Sequence, residues 1–317
     1  MEFIQVDGQK LTDKIEHGSV LDCFGSNYWK STQMSKLIEL LHNGTVTDAD
    51  TLLFADLWSP GIEMLQYIKC IMGSGPKITG ILHAGTYDPN DFTVRAGMRP
   101  FFHNIEFAWM QMIDKIFVAT AYHKNLILNS HAVDPDKIKV TGLPLPFQGN
   151  ELDKFQQIKD DRYVIFPHRM DPEKNPEEFS DMIGLLRQRV GYFPVCMTTT
   201  RPRTKGEYYT ELGKASIAVS MADQETFGYA MLEATALGCV PLVPDRLSYR
   251  EMYPEELRYK SYSNLYSILC MLLESDQELT RYRCITRDLA NRHRAMYTES
   301  IGNMLKEVKH GSRSKEG

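Results

Sequence analysis

No segment of this 317-residue chain reaches the roughly 18 to 20 uninterrupted apolar residues that a membrane-spanning helix needs. The opening stretch, MEFIQVDGQKLTDK, shows no basic-then-apolar targeting pattern. A C-x-x-C pair is also missing. Cys23, Cys70, Cys196, Cys239, Cys270 and Cys284 stand far apart, which argues against a disulfide framework and against a cysteine-based zinc site. Nor is there a surplus of positive charge: 36 Lys and Arg against 41 Asp and Glu give a net charge of −5. A generally basic nucleic-acid binder is thereby disfavoured, although a local basic face is not. Repeats are absent, and low complexity is confined to the terminal GSRSKEG, which reads as disordered. These absences together predict a cytoplasmic protein in a reducing compartment, without integral membrane contact.

What is present suits two cores. The length corresponds to about two domains, and 43% apolar with 24% charged residues is ordinary for a globular chain. Short runs rich in Val, Ile, Leu and Phe recur in the first half: VLDCF (20–24), TLLFAD (51–56), KITGILH (77–83), KIFVAT (115–120) and IKVTG (138–142). Amphipathic stretches separate them, with helices expected over 31–41, 62–72, 101–113 and 121–129. Continuous apolar runs alternating with helices predict buried parallel strands with crossover connections. LPLPFQGNELDK (143–154) then breaks the pattern in the manner of a linker. A second α/β unit follows, with strands over 162–167, 193–200, 216–221 and 240–244 and helices over 176–189, 205–212 and 227–237. From position 264 the chain reads as helix. Its last part, 281–317, holds nine basic and four acidic residues, a surplus of five. The domains are accordingly 1–150, 151–280 and a basic helix and tail, 281–317, expected to pack back toward the first.

The most informative segment is DQETFGYAMLEATALGCVPLVPDRLSYR (223–250). After a strand, Glu225-Thr226-Phe227-Gly228 opens a helix that ends at Gly238. Open α/β sheets bind ligands at the carboxyl ends of their strands, and a helix start there offers free N–H groups to a phosphate. Glu225 at the helix mouth and Glu233 about two turns further on are too far apart to share a proton or a metal. They are suitably spaced for the two diol-bearing ends of a nucleotide sugar. The plainer alternative makes Glu225 a cap and Glu233 a solvated helix residue. A second strand ends at His168-Arg169, with Lys174-Asn175-Pro176 opening the next helix. Two cations there neutralise a pyrophosphate, or are simply surface charges.

The run E-T-F-G-Y-A-M-L-E-A-x-A-L-G-C-V-P-L-V resembles the donor-site signature of retaining GT-B glycosyltransferases of the family-four type, which also carry an Arg and a Lys five residues apart. FPHRMDPEKNPEEF and ETFGYAMLEATALGCVPLVPDRLSYREMYPEELRY resemble more narrowly the C-terminal half of the tRNA-queuosine mannosyltransferase branch. The resemblance covers 162–259. It implies a GT-B fold, two Rossmann-like α/β domains facing across a cleft with C-terminal helices. It further implies a metal-independent hexosyl- or pentosyltransferase without cofactor, using a UDP- or GDP-linked sugar. Arg169, Lys174, Glu225, Thr226, Phe227, Gly228 and Glu233 are then the donor-binding set. Arg169, Lys174, Glu225 and His83, which follows the strand KITGIL, are the catalytic candidates; a structural role for His83 stays open. Cys196 and Cys239 read as inert core residues.

Gly25-Ser26-Asn27 resembles the glycine loop of that family but has one glycine instead of two, and an ordinary turn is its alternative. Acceptor candidates are Gly25, Tyr28, Trp29, Lys30, Tyr87, Arg95, Arg99 and Trp109, because aromatics interleaved with cations hold unstacked bases; core packing or a sugar would use the same residues. Arg283, Arg287 and Arg294 recur at helical spacing and suit phosphates, a solvated face or an anionic membrane equally. Thr198 to Arg203 is a plausible base-side loop. Asp88 with Asp91 and Asp48 with Asp50 lack a third ligand, so no metal is expected. The favoured acceptor is a hydroxyl on a modified base, either hydroxymethylpyrimidine in DNA, as in phage DNA glycosyltransferases, or queuosine in tRNA. The alternatives are a lipid-linked or cell-surface glycan, and a non-catalytic nucleotide-sugar or nucleic-acid binding module.

Overall fold

The computed structural model describes residues 3–11, 23–145, 147, 151–198 and 204–310. The chain divides into two compact units. The first comprises Met1–Val118, Lys124–Thr141 and Met304–Gly317, the second Ala119–His123 and Gly142–Asn303.

The first unit carries, in chain order, α1 (Cys23–His42), β1 (Thr51–Phe54), α2 (Ile62–Met72), β2 (Lys77–Ile81), α3 (Phe92–Arg95), α4 (Arg99–Met112), β3 (Lys115–Val118), most of α5 (Ala121–Ser130) and β4 (Ile138–Val140). Its four strands run parallel in the order β1-β2-β3-β4. From Ile78 to Ile81 every residue of β2 is buried, as expected of a strand covered on both faces. Ile62 and Leu65 of α2 and Trp109 and Met110 of α4 close over Ile78, Ile116 and Val118.

One expected strand is corrected here. The described end of VLDCF, Cys23-Phe24, is the first turn of α1, and Gly25, Ser26 and Asn27 lie inside that helix instead of in a loop. Asn27 Nδ2 donates to the Cys23 carbonyl at 2.7 Å, one helical turn back. A short apolar run is ambiguous between strand and helix, and neither proline nor a second glycine interrupts the twenty residues of α1. Residues 20–22 fall outside the described residues.

The second unit contains β5 (Asp160–Phe166), α6 (Pro176–Val190), β6 (Val195–Met197), α7 (Lys205–Lys214), β7 (Ala215–Val219), α8 (Tyr229–Ala236), β8 (Val240–Pro244), α9 (Tyr249–Met252), β9 (Arg258–Tyr259), α10 (Tyr262–Glu274) and α11 (Asp276–Thr298). A parallel five-stranded sheet runs β6-β5-β7-β8-β9. α6 shows why these segments are helices. Pro176 occupies its first turn, Glu177 and Glu178 face the positive dipole end, and Arg187 and Arg189 sit at the negative end. Its buried residues Phe179, Met182, Ile183 and Leu186 follow the i, i+3, i+4, i+7 pattern. A capping box of Thr204 and Glu207 starts α7. The chain ends in α12 (Ser300–His310), whose residues from Met304 onward are counted with the first unit, where Lys115 Nζ donates to Glu307 Oε2 at 3.1 Å.

α11 packs along α8 through a stripe of Leu279, Tyr282, Thr286, Leu289, His293 and Tyr297. Its basic face is smaller than the sequence suggested. Arg283 is half-buried and donates through Nη2 to Ser216 Oγ at 2.7 Å, which leaves Arg287 and Arg294 as the exposed members of the expected trio.

His293 makes this packing sensitive to acid. It is buried, its Nε2 lies 2.8 Å from the Met252 carbonyl, and desolvation holds its pKa at about 4 against an ordinary 6.5. Between those values the unfolded chain binds a proton that the folded one does not. Stability is therefore complete above the ordinary value and declines as pH falls through about 4, by on the order of 3 kcal/mol in all. His293→Gln keeps the donor and cannot titrate. Urea unfolding midpoints between about pH 7 and pH 4.5 are expected to fall more steeply for the parent than for this variant.

Candidate functional site

The second unit's sheet turns directly into the site. β7 ends at Val219, and the chain must reverse before α8 begins at Tyr229. Gly228 makes this possible with φ +79°, a conformation that side-chain-bearing residues avoid. A Cβ there would also come within 3.1 Å of the Tyr249 ring. Tyr249 is fully buried and its hydroxyl lies 2.9 Å from Ser220 Oγ, so the ring cannot easily yield. Phe227 is buried edge-on against Tyr229 and Tyr297, each at 4.9 Å, and the Thr226 carbonyl accepts from Thr120 Oγ1 at 3.1 Å. The first N–H groups of α8 thus emerge at the carboxyl end of a central strand, where an anion is favoured.

The loop after β5 meets this turn. Asp223 N donates to the Glu173 carbonyl at 2.8 Å, and Asn175 Nδ2 donates to the Met221 carbonyl and to Asp223 Oδ2 at 2.9 and 2.8 Å. Lys174 is buried. Its Nζ donates to the Gln224 carbonyl at 2.5 Å and pairs with Glu225 Oε1 at 3.2 Å. Arg169 pairs with Asp171 at 2.9 Å and approaches Glu173 at 3.8 Å, with its side chain 38% exposed. Between them His168 is buried, and desolvation with Lys174 and Arg169 alongside pushes its pKa well below the ordinary value. A neutral His168 adds no charge to a cluster that already holds two cations beside Glu225.

Glu233 lies one turn inside α8, and its burial excludes the reading as a solvated residue. The Tyr209 hydroxyl, from α7, donates to its Oε1 at 2.8 Å. Desolvation raises its pKa, while the hydroxyls of Tyr209 and Tyr208 oppose the rise. The structure therefore brings Lys174 to Glu225 in the turn Glu225 to Gly228 that leads into α8, with Arg169 on the same loop as Lys174 and Glu233 one turn inside the helix. Residues 199–203 of the expected base-side loop lie outside the described residues, as do 146 and 148–150 of the linker.

The first unit's candidates are more scattered. His83 follows β2, and its Nε2 lies 2.9 Å from the Ala55 carbonyl. Lys30, on α1 with Gly25 and Trp29, donates to Asp56 Oδ2 at 2.9 Å and to the Trp58 carbonyl. Tyr87 and Trp109 are buried, Trp109 donating to Glu63 Oε2 at 2.9 Å, so neither is an exposed stacking platform. Arg95 and Arg99 are exposed, at the end of α3 and the start of α4. Asp91 caps α3 and Asp50 accepts from Thr47, local turn roles that account for these acids. Sequence reasoning missed Tyr209 as the partner of Glu233, and also His103 and Glu106 on α4, which meet His131. The His-x-x-Glu spacing was visible, but nothing in the sequence paired it with His131.

No protein-family model matches the chain. It is similar to the tRNA-queuosine alpha-mannosyltransferase of Drosophila melanogaster, 31% identical over 122 residues, covering 31% of this chain and 32% of that one. The chain thus matches about a third of that relative's length. Among solved structures it is similar to TarM of S. aureus, with a TM-score of 0.63, 12% identity, and coverage of 87% of this chain and 57% of that one. The pneumococcal O-GlcNAc transferase GtfA gives 0.60 at 10% identity, covering 90% and 61%. Sucrose-phosphate synthase from Thermosynechococcus elongatus gives 0.58 at 14% identity, covering 77% and 71%. The fold is α/β with parallel sheets, of the GT-B glycosyltransferase type.

The buried carboxyl of Glu233 has its own pH signature. Its raised pKa means that the folded chain keeps this proton to higher pH than the unfolded one, so its contribution is complete below the ordinary carboxylate range and is lost as pH rises through the raised value. Glu233→Gln still accepts from Tyr209 and has no proton to lose. Urea midpoints from about pH 4 to about pH 8 are expected to move in the variant's favour relative to the parent.

Proposed function

We propose that this chain is a retaining glycosyltransferase of the family-four type that transfers a sugar from a nucleoside-diphosphate donor to a hydroxyl of a modified nucleobase. One observation carries the reading: Lys174, on the loop after β5 that also bears Arg169, pairs with Glu225 in the turn that opens α8, the helix that holds Glu233. Arg169, Lys174 and the N–H groups that open α8 receive the diphosphate. Glu225 accepts from sugar hydroxyls, and Glu233, fixed by Tyr209, accepts from the ribose diol. In the step itself the bond from the anomeric carbon to the phosphate oxygen breaks while the acceptor oxygen bonds to the same face. The acceptor proton passes to the departing phosphate, whose charge the cations and the helix end stabilise. With two cations and a helix dipole at the leaving group, the transfer itself needs no divalent ion.

The donor is UDP- or GDP-linked. Structures of similar fold carry UDP, as TarM and GtfA do, and the matched relative is named a mannosyltransferase. That relative's acceptor, queuosine in tRNA, puts tRNA first among nucleic acids and DNA carrying hydroxymethylpyrimidine second. Exposed Arg287 and Arg294 on α11 suit phosphate backbones. His83 takes the place of a sugar-side residue in the first unit.

Purified protein incubated with UDP-, GDP-, ADP- and CMP-linked sugars, with and without bulk tRNA or hydroxymethylated DNA, is expected to release nucleoside diphosphate from one donor in dependence on one nucleic acid. Release that ignores both nucleic acids overturns the acceptor assignment, and no release from any donor overturns the enzyme. Lys174→Ala and Glu225→Gln are expected to lower turnover by about 10²- to 10³-fold, the cost of removing one charge-stabilising group. His83→Ala is expected to reduce turnover while leaving nucleotide affinity unchanged.

A further inference from the structure

The first unit holds a constellation that glycosyl transfer does not use. His103 and Glu106 stand three residues apart on one face of α4, and His131 follows α5 directly. One ligand atom from each lies within 4.8 Å of the others. The rings of His103 and His131 stack at 4.2 Å and 27°, and His131 Nε2 is 3.7 Å from Glu106 Oε2, both side chains being 1% exposed. That buried Nε2 makes no hydrogen bond, an arrangement that native structures rarely leave unexplained. Phe107 stacks on His131 at 5.9 Å and Tyr87 meets it edge-on at 6.2 Å, so the surroundings are aromatic. The Glu106 carboxylate is oriented from behind by Trp58 Nε1 at 2.6 Å, Thr86 N at 2.8 Å and Thr86 Oγ1 at 2.5 Å. Gly85 lets the backbone come this close, since a Cβ there would lie 2.6 Å from Glu106 Oε1.

We propose that His103, Glu106 and His131 bind one divalent transition metal, zinc first, in a site that fastens α4 to the end of α5 and, through Glu106, to the loops after β1 and β2. Two imidazoles and one carboxylate form a zinc donor set, whereas magnesium and calcium take mostly oxygen ligands. The ligand atoms of a tetrahedral site lie about 3.3 Å apart, so closure asks for a shift of about 1.5 Å, and half-buried His103, held by a 3.4 Å contact from Thr86 Oγ1, is the ligand that would move. The donors on Glu106 supply the outer shell that fixes a metal-bound carboxylate. A contact between His131 and Glu106 alone accounts for that pair, and His103 Nδ1 lies 3.4 Å from Thr86 Oγ1, a long contact; a metal uses both stacked rings and the carboxylate together. This inference does not depend on the glycosyltransferase reading.

The test uses full-length protein stripped with a chelator and titrated with Zn2+ or Co2+, followed by thermal unfolding and by Co2+ absorption. One ion per chain is expected, with Tm raised by at least about 3 °C at a hundredfold excess over Kd and no thiolate-to-cobalt band. His103→Ala is expected to weaken binding at least about tenfold while the Tm of the stripped protein stays that of the parent. His131→Asn is expected to do the same to binding; should it fail to fold, His103→Ala decides. No Tm rise with Zn2+ in the parent overturns the proposal. So does a rise that His103→Ala leaves intact, which assigns the ion to other groups such as exposed Cys23, Cys70 or Cys284.

Discussion

The left-handed turn at Gly228 is the constraint on which the second unit depends. It brings the chain out of β7 at a positive φ and starts α8 against the fully buried ring of Tyr249, which would lie 3.1 Å from a Cβ. The direction of α8 then follows, and with it the placing of Glu225 at its mouth and Glu233 within it. Because α8 is buried along Met231 to Thr235, any tilt would be resisted by β8 beside it and by the Leu289, His293 and Tyr297 stripe of α11. Packing of this density transmits displacement instead of absorbing it, so the rigidity of the helix end is a product of the core.

Charge completes what packing begins. Lys174 is nearly dry, and an unpaired ammonium there would be costly. Glu225 and the Gln224 carbonyl satisfy it, and the same bonds draw the loop after β5 onto the turn after β7. The Asn175 and Asp223 bonds close the seam. Arg169 is held less deeply, between Asp171 and Glu173, and is the cation more open to solvent. In the proposed reading, the buried cation fixed by a carboxylate and the exposed one on a short tether both serve the diphosphate. Breaking such a pair costs more than the pair contributes, since one charge is left behind unmatched.

Much of this was legible in the sequence because it is local. VPLVP (240–244) is β8 over the same five residues, and 62–72 is α2, since apolar run length and period specify these elements directly. The clustering at α8 was readable from one contiguous run plus one strand-end pair. The failures concern relations between distant residues or ambiguous short runs. VLDCF has the composition of a strand, yet its described end, Cys23-Phe24, belongs to the first turn of a helix. Tyr87 and Trp109 resemble stacking aromatics by type but are buried, which composition does not reveal. Arg283 has a charge suited to phosphates, yet folding places it on Ser216. His131 stands 25 positions after Glu106, and only the tertiary structure brings the two together.

In the proposed function the start of α8, with Arg169 and Lys174, seats the diphosphate of a nucleotide sugar. Its most direct test is a crystal structure of the protein with the nucleoside diphosphate that the donor panel selects. The diphosphate is expected within hydrogen-bond reach of Arg169, Lys174 and the first N–H groups of α8, with the ribose on Glu233. A nucleotide seated elsewhere, with Lys174 still bonded to Glu225 and no phosphate at the helix end, would contradict it.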